Sequence, residues 1–395
     1  MIEKTLILVV NPGSASRKYA LYNGNDQWAS IYFEFVDNRV VGKIKHAGEQ
    51  QIINCDDKDL TTVSRYILPL LHEYKVIGDD DKIAAVAIRV VAPSDDFTKD
   101  QLITREVEAS LEALEQKAPL HITTVLSEIK HLEDYFVGTP IVAISDSAFH
   151  VTKPEWASHY GINTELADKF GIKRYGYHGV SVGSVVRILQ ESGDLKPKTI
   201  ICHLGSGSSI TAVVDGKSIE TTMGYSPLEG LMMASRSGTI DVSAALAIKR
   251  ELQLNDEGLE QYLNKQSGLA GVSGSSNDIR QLISKEEQGD ERASLALKLF
   301  IYRIQQAIGQ MAASMGGADC LVFTATIGER SFVIRDRILQ NLGYLGFINN
   351  SEINEKTFEP TEIVSIASLD SKPVLVVSTN ESIEIARRAE QYIKS

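Results

Sequence analysis

The sequence predicts an α/β protein of two domains, and three observations carry that reading. The chain has 395 residues, more than a single hydrophobic core usually supports. Short apolar runs ending in Gly/Ser turns alternate with stretches of helical periodicity. A strand–turn–strand unit near the N-terminus also returns in the second half at a constant offset of 192 residues.

Thr5 to Val10 is a continuous apolar run that stops at Asn11-Pro12-Gly13, the pattern of a buried strand feeding a turn. A second strand is expected over Lys18 to Tyr22. Ile31 to Phe35 and Val41 to Lys45, on either side of Asp37-Asn38, extend it into a meander. Leu60 to Tyr74 carries apolar residues at helical spacing, and Ile83 to Val91 suits a buried central strand. After residue 195 come a strand over Thr199 to Cys202, a turn over Gly205 to Ser209, a strand over Ile210 to Val214 and the turn Asp215-Gly216. At the offset of 192, Gly13 falls on Gly205, Ser14 on Ser206, Ser16 on Ser208, Ala20 on Ala212 and Gly24 on Gly216, with no gap. This is the pattern of a duplicated unit, one per domain; the alternative is a chance likeness of two Gly/Ser hairpins. Helices are expected over Val242 to Leu252, Ala293 to Met315 and Glu381 to Ile393, with short strands at Leu321 to Phe323 and Val374 to Val377.

Composition narrows the function classes. The chain is 43% apolar and 23% charged, as in ordinary soluble proteins. A formal net charge of -12 without a long Lys/Arg block argues against a nucleic-acid surface. Cys55, Cys202 and Cys320 lack the spacing of a zinc site or a disulfide framework, so a reducing compartment is expected. The N-terminal apolar run of about six residues reads as a strand, not as a signal sequence. No segment approaches the roughly 18 apolar residues of a membrane span. A cytoplasmic protein is the expectation.

Asn11-Pro12-Gly13-Ser14-Ala15-Ser16 and Leu204-Gly205-Ser206-Gly207-Ser208-Ser209 are small-residue turns after strands. Such turns either converge backbone N–H groups and hydroxyls on phosphate oxygens or serve as plain tight hairpins. Gly216-Lys217-Ser218 lacks the glycine five positions earlier that a Walker loop needs, and reads as a surface turn. Arg89, inside an apolar run, needs an anion, which is either a substrate in a cleft or a structural carboxylate. Arg236 lies in the small-residue loop Met232 to Gly238. Two arginines and a histidine suit the charge that develops on a transferring phosphoryl group. Asp146, after the strand Ile141 to Ile144, is placed either for a phosphate-bridging metal or for a loop or cap. His178, between Gly176-Tyr177 and Gly179, is expected in a constrained turn, with a structural and a catalytic role both open.

Taken in order, these segments resemble the acetate kinase family of the acetate and sugar kinase/actin superfamily, over essentially the whole chain. The resemblance is carried by the opening loop, Ala118-Pro119-Leu120-His121, Asp146-Ser147-Ala148-Phe149-His150, Gly176-Tyr177-His178-Gly179 and His203-Leu204-Gly205. It continues through Met223 to Met233, Ser267-Gly268-Leu269, Asp278-Ile279-Arg280, Ile327-Gly328-Glu329 and Thr379-Asn380-Glu381. It implies two duplicated actin-like (ribonuclease H-like) domains with mixed sheets flanked by helices and an active site in the interdomain cleft. The expected division is 1–147 with 382–395, and 148–381. It also implies direct in-line phosphoryl transfer between acetate and ATP/ADP with Mg²⁺ or Mn²⁺, in a homodimer acting on small molecules.

Carried over by motif, Arg89, Asp146, His178 and Arg236 would be catalytic, and Asn11, Asp146 and Glu381 would serve the metal. Arg89, Val91, Leu120, His121, Tyr177 and Pro227 would hold the short acid. Asn11, Ser14, Ser16, Lys18, His203, Gly205, Ser206, Gly207, Asp278, Arg280, Thr326, Gly328 and Arg330 would line the phosphate and nucleotide side. The chain departs from the family at Ala92-Pro93-Ser94, Val182, Tyr177, Ser206, Thr326 and Arg330. The last two stand in the loop against adenosine, so the resemblance leaves open ATP, another nucleotide or pyrophosphate as donor. Acetate, propionate or butyrate as acceptor and a non-catalytic phosphate-sensing homologue are open as well; a sugar kinase fits least.

Overall fold

The computed structural model describes residues 4–13, 16–36, 39–55, 57, 59–115 and 119–395, with the side chains of 119–121 outside that description. The expected turn at Asp37-Asn38, the loop residue Ser14 and the side chains of Leu120 and His121 therefore lie outside the described residues. The chain separates into two compact units, Met1–Ala148 with Asn380–Ser395, and Phe149–Thr379.

The first unit is built on strands β1 (Leu6–Pro12), β2 (Ser16–Asn23), β3 (Asp26–Val36), β4 (Arg39–His46), β5 (Glu49–Asn54), β6 (Ile83–Val90), β7 (Gln101–Leu102) and β8 (Ile141–Ser145), in the order β5-β4-β3-β2-β1-β6-β8-β7. β1 pairs antiparallel with β2 and parallel with β6, which pairs parallel with β8. Side chains alternate across β1. Leu6, Leu8 and Val10 join a core with Val86, Ile88, Ile122, Val125, Ile129 and Leu132, the last four of these from the helix Pro119–Tyr135. On the other face Ile7 and Val9, with Ala85 and Ala87 of β6, are buried where the C-terminal helix Glu381–Lys394 packs on β1 and β6. The small alanines leave room for that helix to approach.

The second unit repeats the plan with β9 (Lys198–Leu204), β10 (Ser208–Val214), β11 (Lys217–Thr221), β12 (Cys320–Thr324), β13 (Val364–Ser365) and β14 (Val374–Val376), ordered β11-β10-β9-β12-β14-β13. The hairpin β9–β10 is antiparallel, β9, β12 and β14 run parallel, and β13 closes the edge antiparallel. This is the order and sense of β3-β2-β1-β6-β8-β7, so the duplication extends from one hairpin to six strands, with β4 and β5 added in the first unit. One face packs Ile200, Cys202, Leu321 and Phe323 on Phe300, Ile304 and Ile308 of the 25-residue helix Glu291–Met315. The other face packs Ile201, Val322 and Leu375 on Val182, Val185 and Leu189 of the helix Gly179–Ser192. Asp290 caps the long helix through Arg292 N and Ala293 N, and Gly316 ends it at φ 64°.

Three local expectations need correction. Leu60 to Tyr74 is not one helix: a 3-10 turn over Val63–Tyr66 precedes a separate α-helix Ile67–Glu73. Pro69 lacks the N–H that an uninterrupted helix would donate back to Arg65. The two opening hairpins overlay in sequence without a gap but not in register. Val9 faces Ala20, while the equivalent Ile201 faces Thr211, so the turn closed by Leu204 and Ser208 is one residue shorter than that closed by Pro12 and Arg17. Ser218 is not a surface residue either: the turn lies at Asp215-Gly216, both at positive φ, and Ser218 is buried in β11 against His150 Nδ1 at 2.9 Å.

Candidate active site

Each unit gathers one group of the expected residues. In the first unit, parallel β6 and β8 bring Arg89 and Asp146 to neighbouring strand ends, with Arg89 opposite Ile144 in the register. Asp146 follows β8 directly, and its backbone N–H donates to Val90 O at 3.0 Å. Its side chain is wholly buried and accepts from Arg89 Nη2 at 2.8 Å. Glu381, first residue of the C-terminal helix, comes within 3.9 Å of Arg89 Nη1, and Asn11 Nδ2 at the end of β1 donates to the same Glu381 oxygen at 3.4 Å. Burial opposes the Arg89 charge most strongly, but the fields of Asp146 and Glu381 together with the Asp146 hydrogen bond outweigh it and raise its pKa. Arg89 Nε is buried and finds no hydrogen-bond partner among the described residues, an unsatisfied donor of the kind a bound anion resolves. Val91 is half-buried just beyond.

Two ties that the sequence reading missed support this group. Arg388 of the C-terminal helix donates through Nε to Asp100 Oδ2 at 2.8 Å and through Nη2 to Ser145 O at 3.0 Å, while Asp100 Oδ1 accepts from Ser145 N at 2.9 Å. The helix bearing Glu381 is thereby fixed to the strand that ends at Asp146. Arg17 Nε donates to buried Glu128 at 3.3 Å, beside Tyr19 Oη donating to the same carboxylate at 2.7 Å, and Arg17 Nη1 reaches Gly13 O and Ser16 O. The opening loop is thus anchored to the helix Pro119–Tyr135. Alternation along β2, with Arg17 and Tyr19 inward and Lys18 outward, was the available signal. Ser16 is half-buried and Lys18 exposed, its Nζ 5.9 Å from the centre of the Tyr32 ring.

In the second unit, His178 stands at φ 60° immediately before the helix Gly179–Ser192. Its ring stacks on His203 at 4.1 Å between centroids, and its Nδ1 lies 3.0 Å from Ser209 Oγ; His203 Nδ1 lies 2.8 Å from Ser181 Oγ. The loop after β9 comes close: a Cβ on Gly207 would lie 3.1 Å from His178 Nε2 and 3.5 Å from Arg236 Nη1. Glycine there lets backbone, imidazole and guanidinium meet. Gly176, at φ 84°, is required for a similar reason, since its Cβ would strike Thr221 at 2.6 Å.

Arg236 Nη1 also reaches Pro227 O at 3.5 Å, and its loop is pinned by Ser267 N on Ser235 O at 3.0 Å and Leu269 N on Met233 O at 2.9 Å. Pro227 is buried, and Tyr177, 1% exposed, donates its hydroxyl to Tyr225 O at 2.7 Å.

Gly205, with Ser206 exposed beside it, lies next to Ala325: a Cβ on Gly205 would be 3.7 Å from Ala325 Cβ. Ala325 opens the helix Ala325–Arg330, which buries Gly328 and exposes Thr326. Arg330 is engaged at the surface, donating through Nε to Glu359 at 2.6 Å and lying over Phe358 at 6.0 Å. Asp278 caps the helix Ile279–Glu287 and pairs with Arg280 at 2.6 Å, so these two are joined to each other.

Residues 6–387 match the Acetokinase family. An acetate kinase of Clostridium botulinum strain Langeland is 40% identical over 391 residues, covering 96% of this chain and 98% of that protein. The crystal structure of Porphyromonas gingivalis acetate kinase superposes with a TM-score of 0.87 at 33% identity, over 98% of this chain and 100% of that one. A propionate kinase from Francisella tularensis superposes with a TM-score of 0.89 at 34% identity, over 97% and 98%. These structures share the two-domain α/β architecture that the sequence predicts. The chain belongs to the acetokinase family, whose members are phosphotransferases with a carboxylate as acceptor.

Proposed function

We propose that this chain is an acetate kinase that transfers a phosphoryl group reversibly between ATP and acetate. The observation that carries the proposal is the convergence of His178 Nε2 and Arg236 Nη1 on Gly207, within 3.1 and 3.5 Å of its Cβ direction. A histidine, a guanidinium and a bare backbone meeting at one point form a donor set for the equatorial oxygens of a phosphoryl group in transfer. Arg89 holds the acceptor carboxylate with its remaining donor capacity. Burial and its two flanking carboxylates keep it oriented. His178, held on Ser209 and stacked on His203, donates to the charge that grows on the phosphoryl oxygens.

The residues fit a divalent cation. Asp146, Glu381 and the Asn11 amide supply hard oxygen donors beside Arg89, and Mg²⁺ commonly takes one or two carboxylates with phosphate oxygens completing its shell. When bound, the metal neutralises and orients those phosphates. Ser16 and Lys18 serve the same phosphates, and Gly205, Ser206 and Gly207 those of the donor.

ATP is preferred over pyrophosphate as donor because Arg330 is engaged by Glu359 rather than committed to a donor phosphate. Acetate is preferred because the Clostridium botulinum and Porphyromonas gingivalis proteins are acetate kinases, although a propionate kinase shares the fold. A cytoplasmic homodimer is proposed on the family resemblance.

The test is trapping of acyl phosphate as hydroxamate from acetate, propionate or butyrate and Mg²⁺, with ATP, GTP or pyrophosphate supplied separately. Acetate with ATP is expected to give the highest kcat/KM. Turnover with pyrophosphate alone would replace the donor, and no turnover with any pair would overturn the proposal.

A further inference from the structure

Arg335 lies on the helix Phe332–Leu339, wholly buried in the stripe of Ile334 and Ile338. A guanidinium in that position ordinarily needs a carboxylate to offset its lost hydration. Its hydrogen bonds go to uncharged oxygens instead. Nε donates to Asn354 Oδ1 at 2.7 Å, Nη1 to the carbonyls of Gly328 at 2.8 Å and Glu329 at 3.0 Å, and Nη2 to the carbonyls of Asn354 at 2.9 Å and Thr357 at 2.7 Å. All five N–H donors of the fork are used. Burial pulls its pKa down only to about 10, so it stays charged at neutral pH.

The acceptors belong to the last turns of two short helices, Ala325–Arg330 and Ser351–Lys356, and to Thr357 just beyond. Carbonyls at a helix end lack intrahelical donors and carry the negative end of its dipole, so one cation can bind both ends together. Glu329 extends the chain of contacts. Its Oε1 accepts from Ala325 N at 2.8 Å and Thr379 N at 3.2 Å, and its Oε2 from Ser378 Oγ at 3.1 Å. Ala325 holds φ 64°, a left-handed conformation unfavourable to any residue with a Cβ, and it abuts Gly205.

We propose that Arg335 is a positioning residue for the phosphoryl donor: it fixes the Gly328–Glu329 peptide so that the Glu329 carboxylate holds Ala325 against the Gly205–Gly207 loop. The inference rests on reading 205–207 and 325–330 as the donor side. No substrate atom touches Arg335; it acts through Glu329 and Ala325.

The test compares Arg335→Lys and Arg335→Gln with the natural protein by amide hydrogen exchange without ligand, and by separate KM values for donor and acetate. Lysine keeps the charge but has three donors on one nitrogen and cannot span both helix ends. Exchange of the 325–330 amides should rise about tenfold or more while that of the helix Glu291–Met315 stays unchanged. Donor KM should rise about tenfold while acetate KM stays within about twofold, the size usual for loss of an outer-shell support. Unchanged exchange over 325–330, or donor and acetate KM rising in parallel, would overturn the proposal. Should both variants fail to fold, Asn354→Ser removes the Nε acceptor together with the Asn354 Nδ2 bond to Phe332 O and leaves the other four Arg335 bonds, and unaltered exchange over 325–330 in that protein would overturn it equally. A natural protein inactive with every donor would count against the proposed function, while the exchange measurement would still decide the role of Arg335.

Discussion

Arg89 Nη2 and Asp146 Oδ2 lie 2.8 Å apart, at the carboxyl ends of two neighbouring parallel strands. The backbone sets that distance: the β6–β8 register places Arg89 opposite Ile144, and Asp146 is two residues on. The side chain of Arg89 is 19% exposed and that of Asp146 fully buried, so the pair is screened little by solvent.

Asp146→Asn is expected to lower kcat roughly a hundredfold and to raise the Mg²⁺ concentration needed for half-maximal rate, since it removes a buried charge that also orients Arg89. Truncation by Asp146→Ala leaves Arg89 poorly paired and should cost about 3–5 kcal/mol of stability. Metal titration of the rate and a thermal melt check the two parts.

Arg236→Ala is expected to reduce kcat by about a thousandfold, the scale of a lost phosphoryl-binding arginine. Circular dichroism should be unchanged, because the Arg236 loop is held by backbone bonds from Ser267 and Leu269. Turnover within tenfold of the natural protein would remove Arg236 from the chemistry.

Tyr177→Phe deletes the hydroxyl that holds Tyr225 O at 2.7 Å and leaves that carbonyl to find another donor. Stability should fall by about 1 kcal/mol. The acid side should respond alone, with acetate KM rising about threefold or more and donor KM steady, because Tyr225 leads directly to Pro227. Equal effects on both substrates would place Tyr177 outside the acid pocket.

Arg330→Ala breaks an ion pair whose side chains are 47% and 45% exposed, so stability should change by no more than about 1 kcal/mol. ATP KM should move less than about threefold. A tenfold rise would mean that the guanidinium leaves Glu359 for a donor phosphate during turnover.

Lys153 supplies a pH signature. Burial, chiefly, lowers its pKa from 10.5 to about 8, with Glu220 and Glu229 pushing upward and Arg174 downward; its Nζ donates to Arg174 O at 2.6 Å. Between pH 8 and 10.5 the unfolded chain binds more protons than the folded one, so stability contributed by this group rises with pH across that window. Relative to Lys153→Met, the natural protein should gain about 1–3 kcal/mol from pH 7.5 to 10. Calorimetry of both proteins at the two pH values measures the difference, which cancels the groups they share; a constant difference would refute the buried amine.

The sequence by itself determined the apolar strands, the long helices, the duplicated hairpin and the motifs that bear Arg89, Asp146, His178 and Arg236. Central parallel strands are buried on both faces and so read as unbroken apolar runs, and phosphate turns need small residues at adjacent positions; both signals are local. Only the tertiary structure decided how those residues are held. Arg388 meets Asp100 across 288 positions, Arg17 meets Glu128 across 111, and Arg335 collects carbonyls from Gly328 to Thr357. Such pairs leave no periodic trace, because a guanidinium finds its partners through the folding of distant segments rather than through spacing along the chain. The fate of Arg330 was settled the same way, by Glu359 arriving 29 residues later to claim it.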